Sequence, residues 1–223
     1  AWGEYGKLVA TVCKAYDSYN FRVANEAIFD FCNETMSAIY LAASKDRLYC
    51  DAPGSERRRR TQTVMCDIVE GLIRLVAPIL VHTADEAWLA LHGLDAKSDE
   101  TVHTQPLPEA PESVAPAGWA DVMALRDRVL KHIEDARAQR GIDNPLDVGV
   151  TVLMPSEQFD ELSPFEPEMA DLCGVSRFRL AENGSETIEI DDLRDEPRCD
   201  RSWKRDGTVK QRSDGGWLSD RDA

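Results

Sequence analysis

The sequence predicts an α+β fold that is mainly α, in which a helical bundle is followed by a small α/β domain and a polar tail. Through residues 1–93, apolar side chains recur every three or four positions, as one face of an amphipathic helix requires. After Gly141 they occur instead in short β-branched runs, which are typical of strands. The tail, residues 192–223, has few apolar side chains to bury and is expected to be flexible unless something staples it.

Two helices are predicted at the beginning of the chain. Large residues at positions 8–19 keep a helical period, and so do those at positions 24–39. Asn20 lies between these runs and can cap the second helix, because its side chain can accept a hydrogen bond from an amide at the helix start. We expect this helix to end near Tyr49, since residues 51–55 include turn formers and a proline.

A long third helix and a short fourth helix follow. The apolar stripe over residues 65–79 predicts the third helix, with Pro78 kinking its end. Residues 84–91 predict the fourth. Thr83 and Glu86 have the spacing of a capping box, in which the threonine hydroxyl accepts from the Glu86 amide and the carboxylate reaches back.

The remaining residues predict an extended connection, a helix and a small sheet. Residues 94–118 contain several prolines and should lie over the surface. A helix over residues 119–141 comes next, and a short helix ending at Cys173 should pack on the sheet. The strands are predicted at residues 148–153, 176–180 and 187–190. The predicted regions are therefore a helical bundle (1–93), the connection (94–118), a helix with a small mixed α/β domain (119–191) and the tail (192–223).

Charge is distributed unevenly along the 223 residues. The formal net charge of −15 repels polyanions at long range, so any contact with RNA has to be local. Residues 45–60, here called the basic segment, contain six basic and three acidic residues. Its cationic residues are Lys45, Arg47, Arg57, Arg58, Arg59 and Arg60.

Cysteine usage favours a reducing cytoplasm. The six cysteines are scattered without a Cys-x-x-Cys pair or a preceding signal peptide, so a disulfide framework is not expected. No apolar run approaches the roughly 20 residues that a membrane span needs. Because the chain begins in polar, helical-looking sequence without an initiator methionine, we expect it to be a fragment of a longer protein.

Two interpretations of the basic segment remain open. Its cationic side chains lie at the end of one predicted helix and the start of the next, where they could reach phosphates or stack on unpaired bases. Four consecutive arginines at a helix start oppose the helix dipole, so helix stability does not explain them. They could equally form a solvated turn, and residues 45–47 could form an internal ion-pair triad with Tyr49 buried beside it.

No catalytic constellation is predicted. The four histidines have no serine, cysteine or carboxylate partner at a recognisable spacing. Asp85 and Glu86 are adjacent on a helix and point in different directions, which makes them poor candidates for acid/base catalysis. The glycines form no phosphate-binding loop. We therefore expect neither a nucleophile nor a nucleotide site.

Several segments, in their order and spacing, resemble one family. They are residues 34–41 (ETMSAIYL), 45–49 (KDRLY), 57–60 (RRRR), 76–80 (VAPIL) and 83–88 (TADEAW). Together they resemble the anticodon-binding helical domain of a class I aminoacyl-tRNA synthetase, and most closely a bacterial-type isoleucyl-tRNA synthetase. The resemblance extends over nearly the whole chain and makes the predicted bundle one of the anticodon-binding type.

The resemblance implies a non-catalytic region that binds the anticodon stem-loop of tRNA(Ile). In the family, the intact enzyme charges tRNA with the help of ATP and Mg²⁺, and it carries catalytic and editing domains. The family's His-Ile-Gly-His-like and Lys-Met-Ser-Lys-Ser-like motifs are absent here, so these domains should lie upstream in the same chain. A cytoplasmic monomer is expected, with the six cations of the basic segment and Trp203 as RNA contacts.

The tail resembles a degenerate zinc module of the same family. Where the family has four cysteines, this chain has Cys199, Ser202, Ser219 and Asp222. Serine is a poor zinc ligand and a single carboxylate does not compensate, so the tail is predicted to bind no zinc. Trp203 could stack on an anticodon base, or it could fill a miniature core together with Trp217.

Two other functions remain open. The bundle could be an interaction module that packs on its own catalytic domain with little direct RNA contact, or the chain could be the equivalent region of a valyl- or leucyl-type synthetase. Salt dependence separates RNA binding from the first alternative, because each phosphate contact contributes roughly −0.7 to the log–log slope on single strands.

Overall fold

The computed structural model describes residues 1–112 and 115–223, and these residues form two compact units. The first unit contains Ala1–Leu41 and Pro53–Ala115, and the second contains Ala42–Ala52 and Pro116–Ala223. Residues 42–52 thus group with the second half of the chain, whereas the sequence-based boundary placed them in the bundle of residues 1–93. Residues 113 and 114 of the predicted connection lie outside the described residues.

The elements are numbered in chain order. The α-helices are α1 (Trp2–Asp17), α2 (Phe21–Asp30), α3 (Ala42–Tyr49), α4 (Glu56–Val76), α5 (Val81–His92), α6 (Trp119–Arg140), α7 (Ser156–Leu162) and α8 (Glu166–Cys173). The strands are β1 (Val148–Met154), β2 (Arg177–Glu182), β3 (Thr187–Asp192), β4 (Lys210–Gln211) and β5 (Trp217–Leu218). This confirms a mainly helical protein with a small sheet. Across the described ranges, none of the helices combines the length and the apolar character that crossing a membrane requires.

The core of the first unit is built by α1 and α4. Ile68 and Leu75 on α4 are fully buried, as the predicted apolar stripe requires. A Cβ atom at Gly71 would lie 1.6 Å from the Tyr5 hydroxyl oxygen, so only glycine allows this close approach of the two helices. The Tyr16 hydroxyl donates a hydrogen bond to the Leu75 carbonyl at 2.6 Å, which fixes the register of α1 on α4.

The second predicted helix is confirmed, but its middle is not α-helical. The Asn20 side chain caps α2 by accepting from the Val23 amide at 3.3 Å. After α2, the segment Phe31–Leu41 is π-helical and has i→i+5 hydrogen bonds. Its buried residues, Phe31 and Met36, are accordingly five positions apart. The α-helical period therefore predicted the wrong buried face in this segment.

Helix α5 begins two residues before Thr83, so the predicted capping box of Thr83 and Glu86 is wrong. The N-cap is Leu80, and no side chain caps the helix. The carboxylate of Asp85 accepts instead from the Thr101 hydroxyl at 2.5 Å. The acidic residue thus fastens the following connection to α5.

The second unit contains a three-stranded sheet with the order β2-β1-β3. β1 is parallel to β2 and antiparallel to β3, with Val150 opposite both Phe178 and Ile190. Leu125 and Val129 of α6 are fully buried in the same core. The three predicted strands and the short helix α8 are confirmed, whereas α7 was not predicted.

The tail is folded in the structure. β4 pairs antiparallel with β5, with Lys210 opposite Leu218. Cys199 is fully buried and Ser219 is 1% exposed. Because the tail has few apolar residues, hydrogen bonds and ion pairs must stabilise it. These polar interactions lie around the positions that resemble zinc ligands.

Candidate nucleic-acid interface

The start of α4 carries the four consecutive arginines of the basic segment. Ser55 caps this helix, because its hydroxyl accepts from the Arg58 amide at 3.4 Å. Glu56 lies in the first turn, and its carboxylate is 2.5 Å from the Arg60 guanidinium. An acidic side chain at this position is favourable to the helix dipole and offsets part of the cost of the arginines.

The four arginines differ in exposure. Arg59 and Arg60 are exposed to solvent, and Arg60 remains 77% exposed while paired with Glu56. Arg57 and Arg58 are half-buried, and each already has an interaction partner. The part of this run that faces solvent is therefore Arg59 and Arg60.

Lys45 and Arg47 lie on α3 but have different surroundings. Lys45 is exposed. The Arg47 side chain is 16% exposed, and its Nη2 lies 2.6 Å from a Glu168 oxygen and 3.2 Å from an Asp171 oxygen. This geometry matches the internal ion-pair interpretation for Arg47, so we keep Lys45 but not Arg47 as a candidate RNA contact.

The ion pairs of Arg47 continue into the tail. Lys204 Nζ lies 2.7 Å from an Asp171 oxygen and 3.2 Å from an Asp46 oxygen. Arg221 donates to Asp46 at 2.5 and 3.0 Å. Acidic and basic side chains thus alternate from the partly exposed Glu168 to the partly exposed Arg221, with the most buried charges, Asp171 and Asp222, paired as buried charges require. This ion-pair network consists of Glu168, Arg47, Asp171, Lys204, Asp46, Arg221, Asp51 and Asp222.

Two carboxylates of the ion-pair network have lowered pKa values. Burial alone would raise the pKa of Asp46, but Arg221 and Lys204 outweigh burial and hold the pKa below its ordinary value. Burial also opposes ionisation of Asp222, yet the hydrogen bonds from Arg221 and Cys199, together with the nearby Ser202 hydroxyl, lower its pKa to about 2. Both carboxylates are therefore charged at neutral pH and can balance the two tail cations.

Trp203 lies at the surface of the second unit and is 55% exposed. Its backbone has a positive φ of 64°, and the Arg198 guanidinium carbon lies 5.4 Å from the centre of its ring. A cavity of about 400 Å³ opens beside it, lined by Trp203, by Lys45 and Tyr49 of α3, and by mainly apolar surface. Aromatic rings with a nearby cation are the groups that hold an unstacked nucleobase.

Tyr49 and Arg198 were missed by the sequence analysis. Tyr49 was expected to be buried, but it is 76% exposed. Arg198 reaches the ring of Trp203 because the chain folds back between them, with the Trp203 amide donating to the Cys199 carbonyl at 2.9 Å. The sequence shows only an arginine five residues before a tryptophan. Trp217 is 43% exposed, so the alternative in which Trp203 and Trp217 form a miniature core does not agree with the structure.

The four positions that resemble zinc ligands come together in the structure. The Cys199 thiol donates to an Asp222 carboxylate oxygen at 3.1 Å, and the Asp222 amide lies 3.3 Å from the Ser219 hydroxyl oxygen. The buried Ser202 hydroxyl makes no full hydrogen bond but lies close enough to Asp222 to lower its pKa. One thiol, two hydroxyls and one carboxylate do not suit zinc.

Comparison with known proteins identifies the family. The family described as the anticodon-binding domain of tRNA ligase matches residues 1–152. The chain belongs to this family. The match includes all six cations of the basic segment, whereas Trp203 lies outside the matched range of the anticodon-binding domain.

Curated relatives of this anticodon-binding domain are bacterial isoleucine–tRNA ligases. The ligase of Brevibacillus brevis is 38% identical over 176 residues, which are 76% of this chain and 19% of the relative. The ligase of Bordetella avium is 35% identical over 219 residues, which are 93% of this chain and 23% of the relative. The chain thus spans about a fifth of the length of these relatives. The resemblance seen in the sequence is confirmed.

Proposed function

We propose that the chain is the anticodon-recognition region of an isoleucine–tRNA ligase and that it binds the anticodon stem-loop of tRNA(Ile). The observation that carries this proposal is the family match over residues 1–152, which includes the exposed arginines at the start of α4. The similarity to isoleucine–tRNA ligases at 35–38% identity supports the choice of tRNA.

In this proposal, Arg59 and Arg60 contact phosphates of the stem. A guanidinium can donate two parallel hydrogen bonds to a phosphate, and such contacts orient the RNA without reading its sequence. The net charge of −15 does not prevent this, because salt screens charges beyond about 10 Å at roughly 0.1 M ionic strength. The local cations therefore act at short range.

Base recognition is proposed for the cavity beside Trp203. An anticodon base that leaves the stack could lie against the rings of Trp203 and Tyr49, with Lys45 next to its phosphate. Arg198 packs on the indole ring and restrains its orientation. The cavity volume of about 400 Å³ is in the range of small-ligand sites.

The intact enzyme is proposed to attach isoleucine to tRNA(Ile) with ATP and Mg²⁺. Catalysis and editing would belong to upstream domains of the same chain, and the enzyme would act as a cytoplasmic monomer. This chain would contribute tRNA binding, which positions the acceptor end at the distant active site.

The test is a titration of the purified chain with a tRNA(Ile) anticodon stem-loop at several salt concentrations. The double variant Arg59→Ala with Arg60→Ala should bind more weakly, and its log–log salt slope should become less steep by roughly 1.4–1.8, or 0.7–0.9 for each lost contact. Arg22→Ala is the matched control, because Arg22 forms an equally exposed i,i+4 pair with Glu26 at 2.5 Å on α2. The control should bind like the wild type.

Other outcomes would contradict the proposal. Weak binding that does not depend on salt, with no effect of the double variant, would instead favour a module that packs on a catalytic domain. Equal affinity for tRNA(Ile) and tRNA(Val) stem-loops would remove the assignment to isoleucine.

A further inference from the structure

The tail forms a closed loop, although it lacks the four cysteines that the family has at the corresponding positions. Cys199 and Ser219 are buried at its two ends, although only a few apolar residues surround them. A polar segment of this length needs a metal, a disulfide or an equivalent link to remain folded. Cys199 is a free thiol in the structure, so the link is not a disulfide.

The link runs through Arg221. Its guanidinium donates to Asp46 on α3 at 2.5 Å and to Asp222 in the tail at 2.8 Å. The Asp222 side chain has no exposed surface, and it also accepts from the Cys199 thiol. One partly exposed cation, Arg221, therefore connects both ends of the tail to the helix beneath it.

We propose that Arg221 replaces a metal ion as the central cation of the tail, and that the tail folds and positions Trp203 without zinc. A resident zinc ion would need several thiolate or imidazole ligands, but among these four positions only Cys199 carries sulfur, and its thiol lies 3.1 Å from an Asp222 oxygen. Arg221 instead supplies the positive charge that balances Asp46 and Asp222.

The same link fixes the turn that carries Trp203. The Cys199 amide donates to the Lys204 carbonyl at 2.9 Å, and the Trp203 amide donates to the Cys199 carbonyl at 2.9 Å. Cys199 is held by Asp222 at one end of this turn, and Lys204 is held by Asp46 at the other. Arg221 is therefore a positioning residue for Trp203. This last step rests on the proposed RNA-binding function, whereas the metal-free closure of the tail does not.

The experiment combines zinc analysis with hydrogen exchange of the amides at residues 199–222. The wild-type chain should contain well under one zinc per molecule, and a chelator should leave its protection unchanged. Arg221→Met should lose protection in the tail by about tenfold or more, and Arg221→Lys should restore part of it. Lys210→Met is the matched control, because the Lys210–Asp220 pair is in the same tail but more than half exposed.

Stoichiometric zinc, or tail amides that lose protection in chelator, would overturn the proposal even if the Arg221→Met variant failed to fold. Unchanged protection in a folded Arg221→Met variant would overturn it as well.

RNA binding separates the two proposals. If Trp203→Ala weakens binding while Arg221→Met leaves the tail protected, the proposed function stands and the role of Arg221 is lost. If Arg221→Met loosens the tail without changing RNA affinity, the metal-free closure stands and the role of Trp203 in binding is lost.

Discussion

The start of α4 and the ion-pair network use the same residue types in opposite ways. At the start of α4, Arg60 pairs with Glu56 four residues away, and both side chains are 77% exposed. In the network, Arg47 pairs with Asp171, whose side chain is only 4% exposed and which is distant in sequence. Arg47 and Arg60 both belong to the basic segment, whereas the other cations of the network, Lys204 and Arg221, belong to the tail. Membership of the basic segment therefore does not decide whether a cation is available to a ligand. The burial of its side chain and of its ion-pair partner decides this.

Energetics explains why only the exposed set suits RNA. An exposed i,i+4 pair contributes about 0.3–0.5 kcal/mol, so a phosphate can compete for Arg60 at little cost. A buried pair is different, because removing one partner leaves a desolvated charge and costs about 3–5 kcal/mol. The guanidinium of Arg47 cannot leave Asp171 for a phosphate without this penalty.

The largest effect is expected for Asp171→Ala. This change removes the carboxylate that lies between Arg47 and Lys204, at 3.2 and 2.7 Å. Two half-desolvated cations then lose a shared partner, and the free energy of unfolding should fall by about 3–5 kcal/mol. Urea unfolding of the purified chain measures the change.

Asp220→Ala is the control for this prediction. Asp220 pairs with Lys210 at 2.8 Å and with Arg212 at 2.9 Å, but its side chain is 57% exposed. Its loss should cost far less than the loss of Asp171, because solvent screens the exposed charges. Equal losses for the two variants would show that burial does not separate the two kinds of ion pair.

The sequence predicted the elements of this protein better than the interactions between them. The apolar stripe around Ile68 and Leu75 and the strand around Val150 carry their own period, so both were predicted correctly. The π-helical segment was missed, because Phe31 and Met36 are spaced for a turn that the α-helical period does not contain. Local pattern is thus informative only where the backbone follows the standard geometry.

The network and the tail could not be predicted because they depend on long-range pairing. Asp46 meets Lys204 and Arg221 although more than 150 residues separate them along the chain. The tail was expected to be flexible unless a cross-link held it. Its composition did not indicate that ion pairs with distant residues would provide this link. For the candidate interface, the basic segment was found from composition. Tyr49 and Arg198, however, required the fold.

A second effect is expected on RNA affinity when Trp203 is changed. Trp203→Ala removes a ring that is 55% exposed beside the cavity, and the loss of one stacked base should weaken stem-loop binding by about 1–3 kcal/mol. Trp217→Ala is the matched control, because Trp217 is in the same tail and 43% exposed but does not line the cavity. A gel-shift titration measures both variants. If both weaken binding equally, the cavity has no special role.

Acid should loosen the tail. The pKa of Asp222 is about 2 in the folded protein and 3.8 as its ordinary value, so its contribution to stability is complete above about pH 4. The contribution is lost as the pH falls from 4 towards 2, because protonation then favours the unfolded state. The loss should be on the order of 1–2 kcal/mol.

The measurement is tail hydrogen exchange or urea unfolding between pH 5 and pH 2. Asp222→Asn should be less stable at pH 5 and should lose part of the pH dependence. Asp46, whose pKa is also lowered by Arg221 and Lys204, contributes to the remainder. An unchanged slope in Asp222→Asn would show that other groups cause the acid sensitivity.

The smallest effect tests the exposed side of the comparison, where stability and RNA binding should change in opposite directions. Glu56→Gln removes the charge that favours the helix dipole and pairs with Arg60, so unfolding should become easier by less than about 1 kcal/mol. RNA affinity should rise by a similarly small amount, because Arg60 no longer has a competing carboxylate. Glu26→Gln, which breaks the exposed pair with Arg22 on α2, should leave RNA affinity unchanged. A fall in affinity for Glu56→Gln would mean that Arg60 needs its carboxylate to be held in place, as Arg47 is.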